Sequence, residues 1–258
     1  MKIAIISLMN KVPWGGSEEL WAATALAALK EGHEVIVSVP AWEKKPARIS
    51  ELEKAGATIL FRPRHEQGHS IFSKTSSYFK RKYEAPFKKI FDKTPGCILI
   101  SQGGTFELAS EPSLIRSLGE NNIPWYLISE FNFDFGVLSE ENWQVARTVF
   151  PQAKKMFFVA QRNLETTQRQ LALALNNAMI VRNPVNLTNT DYVAWPSSGD
   201  PLQLGFVARL ECNFKAQDIL FEALSDDKWK TRSWQLNLYG TGPDEKYLHT
   251  LAQHFGIA

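Results

Sequence analysis

The chain has 258 residues, with 29 Lys+Arg against 27 Asp+Glu and a net charge of +2, a balance that excludes a global positive field of the kind nucleic acid demands. Its 44% hydrophobic content is ordinary for a globular protein, and the length suffices for one large core or two smaller ones. No 18-residue apolar run exists and Met1 to Met9 is too short for a signal peptide, so a cytosolic chain is expected.

Lys2 to Leu8 is a near-continuous apolar run, the mark of a strand covered on both faces. After Pro13-Trp-Gly-Gly-Ser17, the Ala- and Leu-rich segment Leu20 to Lys30 predicts a helix with Ser17 as N-cap and Glu18 and Glu19 in its first turn. Gly32-His33 ends it and Glu34 to Val39 predicts a second strand. This β-α-β unit implies a parallel, doubly wound sheet. Its turn lacks the G-x-G-x-x-G dinucleotide fingerprint. Gly15-Gly16 allows backbone to approach an anionic ligand at the helix start, or is an ordinary strand-to-helix turn.

The alternation continues. Pro46 to Ala55 predicts a helix and Ala57 to Phe61 a strand; Gly96 to Ser101 predicts a strand and Phe106 to Leu118 a helix. Pro124 to Ser129 is a strand, Glu140 to Val149 a helix, Met156 to Val159 a strand, Asn163 to Leu175 a helix and Met179 to Val181 a short strand. Between them, Ser73 to Lys93 mixes seven cations with aromatic residues. A basic amphipathic helix over 74–93 suits peripheral contact with an anionic membrane or acceptor, though such a pattern is more often an aromatic core face beneath a solvated basic face.

The loops Ser101-Gln-Gly-Gly-Thr105 and Ser129-Glu-Phe-Asn132 follow strands, where an open α/β sheet binds its ligands. Gln102, Thr105, Glu130 and Asn132, with Ser17, are candidates for hydrogen bonds to sugar hydroxyls, the alternative being plain loop polarity. The five histidines form no H-E-x-x-H or i, i+4 pair, and no G-x-S-x-G elbow is present. Cys97 and Cys212 suggest neither a disulfide framework nor a zinc spacing. No catalytic triad and no metal site are expected.

Leu202 to Ala208 predicts a buried strand, and Asn213 a helix cap ahead of Ile219, Leu220, Ala223 and Leu224. Arg209 then falls at the strand end and Lys215 in the first turn, which suits a diphosphate or else two surface charges. Trp234 to Tyr239 predicts a further strand and Pro243 to Phe255 a helix.

The run Gly205-Phe-Val-Ala-Arg-Leu-Glu-Cys-Asn-Phe-Lys-Ala-Gln-Asp-Ile-Leu-Phe-Glu-Ala-Leu224, followed by Leu236-Asn-Leu-Tyr-Gly-Thr-Gly-Pro-Asp244, resembles the start of the donor-binding domain of retaining GT-B glycosyltransferases of family 4. Gly15-Gly-Ser-Glu18 is similar to that family's N-terminal glycine loop, which lies over the donor phosphates across the interdomain cleft. The resemblance implies a GT-B type α/β fold. A Rossmann-like acceptor-side domain with a parallel sheet spans 1–186, a linker 187–200, and a partial Rossmann-like donor domain 201–258. It implies that Gly15, Gly16, Arg209 and Lys215 hold the diphosphate of a UDP-, GDP- or ADP-sugar, with Gly240, Thr241 and Gly242 at the nucleotide.

The implied reaction moves a hexosyl unit to a glycan, lipid or small molecule with retention of configuration, without metal or cofactor, in the cytoplasm or at the inner face of a membrane. The family's E-x7-E segment has no match in this chain, so an incomplete chain, inactive alone, is expected. A GT-B-shaped sugar-nucleotide epimerase and a non-catalytic scaffold are the alternatives.

Overall fold

A computed structural model describes residues 1–64, 86–135, 137–185, 187, 189–194 and 201–258. It divides into two compact units, Met1–Asn186 and Leu187–Ala258.

The first unit is built on seven strands: β1 (Lys2–Ser7), β2 (Glu34–Pro40), β3 (Thr58–Arg62), β4 (Cys97–Gly104), β5 (Trp125–Phe131), β6 (Lys155–Phe158) and β7 (Ala178–Ile180). All are parallel, in the order β3-β2-β1-β4-β5-β6-β7. Successive side chains of a strand face opposite ways, so the apolar run of β1 feeds two cores. Ile5 joins Val35, Val37 and Leu99 against Trp21, Ala22 and Ala25 of α1 (Glu18–Lys30) and Ile49 and Leu52 of α2 (Ala47–Lys54). Ala4 and Ile6 face the other way, toward Leu114 and Leu118 of α4 (Pro112–Asn121) and Val149 of α5 (Glu140–Val149). Trp21 is fully buried and tilts against Trp14 at 5.5 Å. Truncating a ring so placed costs about 3–5 kcal/mol.

Short α3 (Lys88–Phe91) buries Ile90 and Phe91 and exposes Lys88, which pairs with Asp92 at 2.7 Å. It holds the described end of the basic stretch; the rest of the expected 74–93 helix lies outside the described residues. The single helix expected over Phe106 to Leu118 is two pieces, a 3₁₀ turn (Glu107–Ser110) and α4, because Pro112 cannot continue a helix and instead starts one. Helix α6 (Gln161–Leu171) stops four residues short of the expected end, where Ala172 turns left-handed at φ 46°. Ser17 precedes α1 without the expected side-chain cap, since its own backbone is already helical.

The second unit pairs β8 (Leu202–Val207) with β9 (Trp234–Tyr239) in parallel. The helix expected from Asn213 is also two pieces. Residues Cys212–Lys215 form the single turn α7, Ala216 reverses the chain at φ 56°, and α8 (Gln217–Leu224) follows. Then come α9 (Asp227–Lys230) and α10 (Glu245–Phe255). Leu210, Phe221 and Leu248 make its small core.

Candidate functional site

Strand order reverses at β1: β2 and β3 lie on one side, β4 to β7 on the other. The crevice beyond the carboxyl ends of β1 and β4 is therefore the expected ligand position of the first unit. Its two loops touch. A Cβ on Gly103 would lie 2.8 Å from Met9 Cε and 3.5 Å from Ser17 Oγ, and Gly103 N donates to Glu107 Oε2 at 2.9 Å. Gly15 faces the same Met9 tip at an ordinary 3.7 Å, whereas Gly16 meets nothing within 4 Å. Neither has a positive φ, so the fold itself does not require glycine at 15 or 16.

Beneath this loop lies a residue that the sequence reading treated only as a partner of the helix dipole. Glu18 is buried, with Oε2 accepting from Ser7 Oγ at 2.7 Å, while Oε1 has no partner. Burial raises its pKa to about 7; the Ser7 hydroxyl and the nearby Trp21 ring oppose the shift, and Glu107 and Glu130 add to it. Trp21 Nε1 and Ser101 Oγ are likewise buried without hydrogen-bond partners. Ser101 stands level with Ser7 on the neighbouring strand and so shares its face. The one available signal was that both apolar strands end in serine.

Glu130, near the end of β5, is the candidate that remains closest to chemistry. Oε2 accepts from Asn183 Nδ2 at 3.0 Å, Oε1 has no partner, and burial raises the pKa to about 7 against that hydrogen bond. Burial also raises Glu107, opposed by the backbone N–H groups of Gly104 and Gly103. Three carboxyls of raised pKa thus gather at the ends of β1, β4 and β5.

The other candidates are spent on the loops. Gln102 is fully buried; its Nε2 donates to Thr105 O and its Oε1 accepts from Leu108 N, so it shapes the turn and offers nothing to a sugar. Thr105 Oγ1 donates to Phe131 O at 2.8 Å. Asn132 Nδ2 donates to Thr167 Oγ1 and Gln170 Oε1, both at 2.9 Å, which fastens its loop to α6.

In the second unit, Arg209 follows β8 half-exposed, with Nη1 3.2 Å from Glu211 Oε2. Lys215 is exposed, and its ammonium has no ion pair or hydrogen bond among the described residues. It closes α7 rather than opening a long helix. The first amide of that turn, Cys212 N, already donates to Asp244 Oδ2 at 2.7 Å and is not available to an anion.

Gly240 and Gly242 have a structural reason to be glycine. A Cβ at Gly240 would lie 1.9 Å from Ala208 O, and one at Gly242 2.2 Å from Leu210 O. The loops after β8 and β9 are hydrogen-bonded through Ala208 N to Tyr239 O and Leu210 N to Thr241 O, each at 3.1 Å. Thr241 is exposed beside them. Among the described residues no group of three or more His, Cys, Asp or Glu could hold a metal, both cysteines are free, and no helix is long and apolar enough to cross a membrane.

No family model matches the chain, and no curated protein matches its sequence. Solved structures match its fold. Anabaena Alr3699/HepE in complex with UDP and glucose is 15% identical over the whole chain and 67% of its own, with a TM-score of 0.63. A glycosyltransferase from Rickettsia africae is 15% identical over 99% of this chain and 66% of its own, at 0.64. A Staphylococcus aureus TarM complex containing UDP is 9% identical over 99% and 75%, at 0.62. The chain spans about two thirds of the length of the first two. The fold is the GT-B type of α/β fold.

Proposed function

We propose that this chain acts in a glycosyltransferase that binds a nucleotide sugar and passes its hexosyl unit to an acceptor hydroxyl. The observation that carries the reading is the pair Arg209 and Lys215 after β8, two accessible cations, in a fold whose solved examples include complexes with UDP. In a retaining, metal-independent transfer of the family 4 kind, the bond from the anomeric carbon to the diphosphate breaks. A new bond forms to the acceptor oxygen on the same face, and the acceptor proton goes to the leaving diphosphate. Charge grows on that diphosphate, and Arg209 and Lys215 offset it. The open backbone at Gly15 and Gly16 admits a phosphate close to the chain. In the first unit, Glu130 has a pKa suited to holding or accepting a proton near neutrality, which fits a carboxyl that orients an acceptor hydroxyl. UDP is the nucleoside diphosphate this reading favours, after the UDP complexes of the fold's solved examples, and the location is the cytoplasm or the inner face of a membrane.

The test is to incubate the protein with UDP-, GDP- and ADP-sugars, with and without a panel of glycan, lipid and small-molecule acceptors, and to follow products by mass spectrometry. One nucleotide sugar should release its nucleoside diphosphate and leave a glycosylated acceptor. Conversion of the nucleotide sugar to an isomer with no acceptor would overturn this reading in favour of an epimerase.

A further inference from the structure

Glu18 opens α1 directly after the turn that carries Gly15 and Gly16, and its N–H donates to Gly15 O at 3.0 Å. The amides of Gly16 and Ser17 have no hydrogen-bond partner among the described residues, so the turn offers donors to an anion. Beneath it, Ser7 Oγ donates to Glu18 Oε2 at 2.7 Å and accepts from Met9 N at 3.2 Å. One serine thus ties the start of the β1–α1 loop to the carboxyl at its end. Glu18 Oε1 is buried and has no partner. Trp21 Nε1 lies close enough to weigh on the carboxyl, yet makes no hydrogen bond of its own. A carboxylate buried with one hydrogen bond is costly, and a carboxylic acid far less so.

The charges nearby do not remove that cost. Glu107 beyond β4 and Glu130 on β5 both oppose a negative charge at Glu18. Arg62, at the end of β3, attracts one, but its guanidinium already donates to Ser38 Oγ and Ser7 O, both at 2.6 Å. Glu19 is paired with Arg48 of α2 at 2.8 Å, and Lys45 with Glu53. The balance sets the Glu18 pKa at about 7, so its proton exchanges near neutrality. A narrow slot with room for about 20 Å³, enough for one water, is lined by Glu18, Met9, Trp14 and Trp42. It gives that proton a route to solvent.

We infer that Glu18 is the positioning residue of the Gly15–Gly16 turn, and that a diphosphate binds there with this carboxyl protonated. The neutral acid leaves the turn open to the anion, whereas the carboxylate beneath it repels the anion. Binding therefore takes up a proton wherever Glu18 is ionised in the free chain, and affinity falls as pH rises. The inference rests on the proposed donor contact at Gly15 and Gly16 and couples that contact to a proton.

UDP-glucose is the probe, because a diphosphate esterified at both ends does not itself titrate near neutrality. Calorimetric titration of the full chain should show affinity about fivefold weaker at pH 8 than at pH 6, as when binding raises one carboxyl pKa by about one unit. Repeating the pH 8 titration in two buffers of different ionisation enthalpy should reveal proton uptake by the wild type. Glu18→Gln, which mimics the acid, should bind equally well at both pH values. Ser7→Ala removes a hydrogen bond that favours the ionised form, so its decline should move to higher pH. A Glu18 that only supported the fold would change affinity by the same factor at every pH. A flat wild-type profile, no proton uptake, or a decline that Glu18→Gln reproduces would overturn the inference and leave the donor reading intact. Absence of UDP-glucose binding at every pH would overturn the donor reading, and this inference with it.

Discussion

The strand ends of the two units are built in opposite ways. In the first unit they carry carboxyls that are sunk into the structure, with Glu18, Glu107 and Glu130 all raised in pKa by burial. In the second they carry exposed cations, Arg209 and Lys215, on loops stapled by close backbone contact. Their glycines differ too. Gly240 and Gly242 are dictated by neighbouring carbonyls, whereas Gly15 and Gly16 answer to nothing in the fold. A residue that the fold does not explain is the better candidate for a ligand, so the phosphate reading is stronger for 15–16 than for 240–242.

The sharpest way to break this contrast is Gly240→Ala. The added methyl would sit 1.9 Å from Ala208 O, and separating the two loops should cost about 3 kcal/mol or more. Hydrogen exchange should show amides of β8 and β9 losing protection while those of β1 to β5 keep theirs. Equal loss in both units would mean that they do not fold as separate bodies.

A smaller effect concerns Glu18. Its folded pKa of about 7 lies above the ordinary value of 4.5, so folding favours the protonated form. Its contribution is complete below about pH 4.5 and is lost as pH rises to about 7, with Glu130 behaving alike. Urea titrations at pH 5 and pH 8 should show Glu18→Gln removing on the order of 2 kcal/mol of the wild-type decline. Arg209→Ala and Lys215→Ala, at exposed positions that leave Glu18 and Glu130 intact, should retain the wild-type decline.

The smallest effect is expected at Gly16→Ala. With nothing within 4 Å of the new methyl and no positive φ to strain, unfolding free energy should change by less than about 0.5 kcal/mol. A loss above 1 kcal/mol would show that the glycine is there for the fold after all.

Much of the architecture was legible because hydrophobic period and chain punctuation act locally. The apolar runs at Lys2, Glu34 and Trp234 became strands within a residue or two of the expected bounds. Helices erred where one residue outweighs the pattern, as at Pro112 and at the left-handed Ala216. Side-chain roles in the first unit were less legible, because they depend on register between distant strands. Gln102 reads as a loop polar group, yet its amide is fully committed to its own turn. Glu18 reads as a charge at a helix start, but the neighbouring strand end turns it into a buried acid. Arg62 was invisible because the expected strand stopped one residue earlier, and only the sheet reveals that its side chain spans three strands.

The most direct test of the donor site is calorimetric titration of UDP into the wild-type chain, Arg209→Ala and Lys215→Ala, with melting temperatures recorded in parallel. The account predicts saturable binding that each substitution weakens about tenfold, the loss of one charge-assisted contact, with melting temperatures of the free proteins unchanged. Wild-type binding that both variants reproduce would contradict it, because the diphosphate would then be held elsewhere.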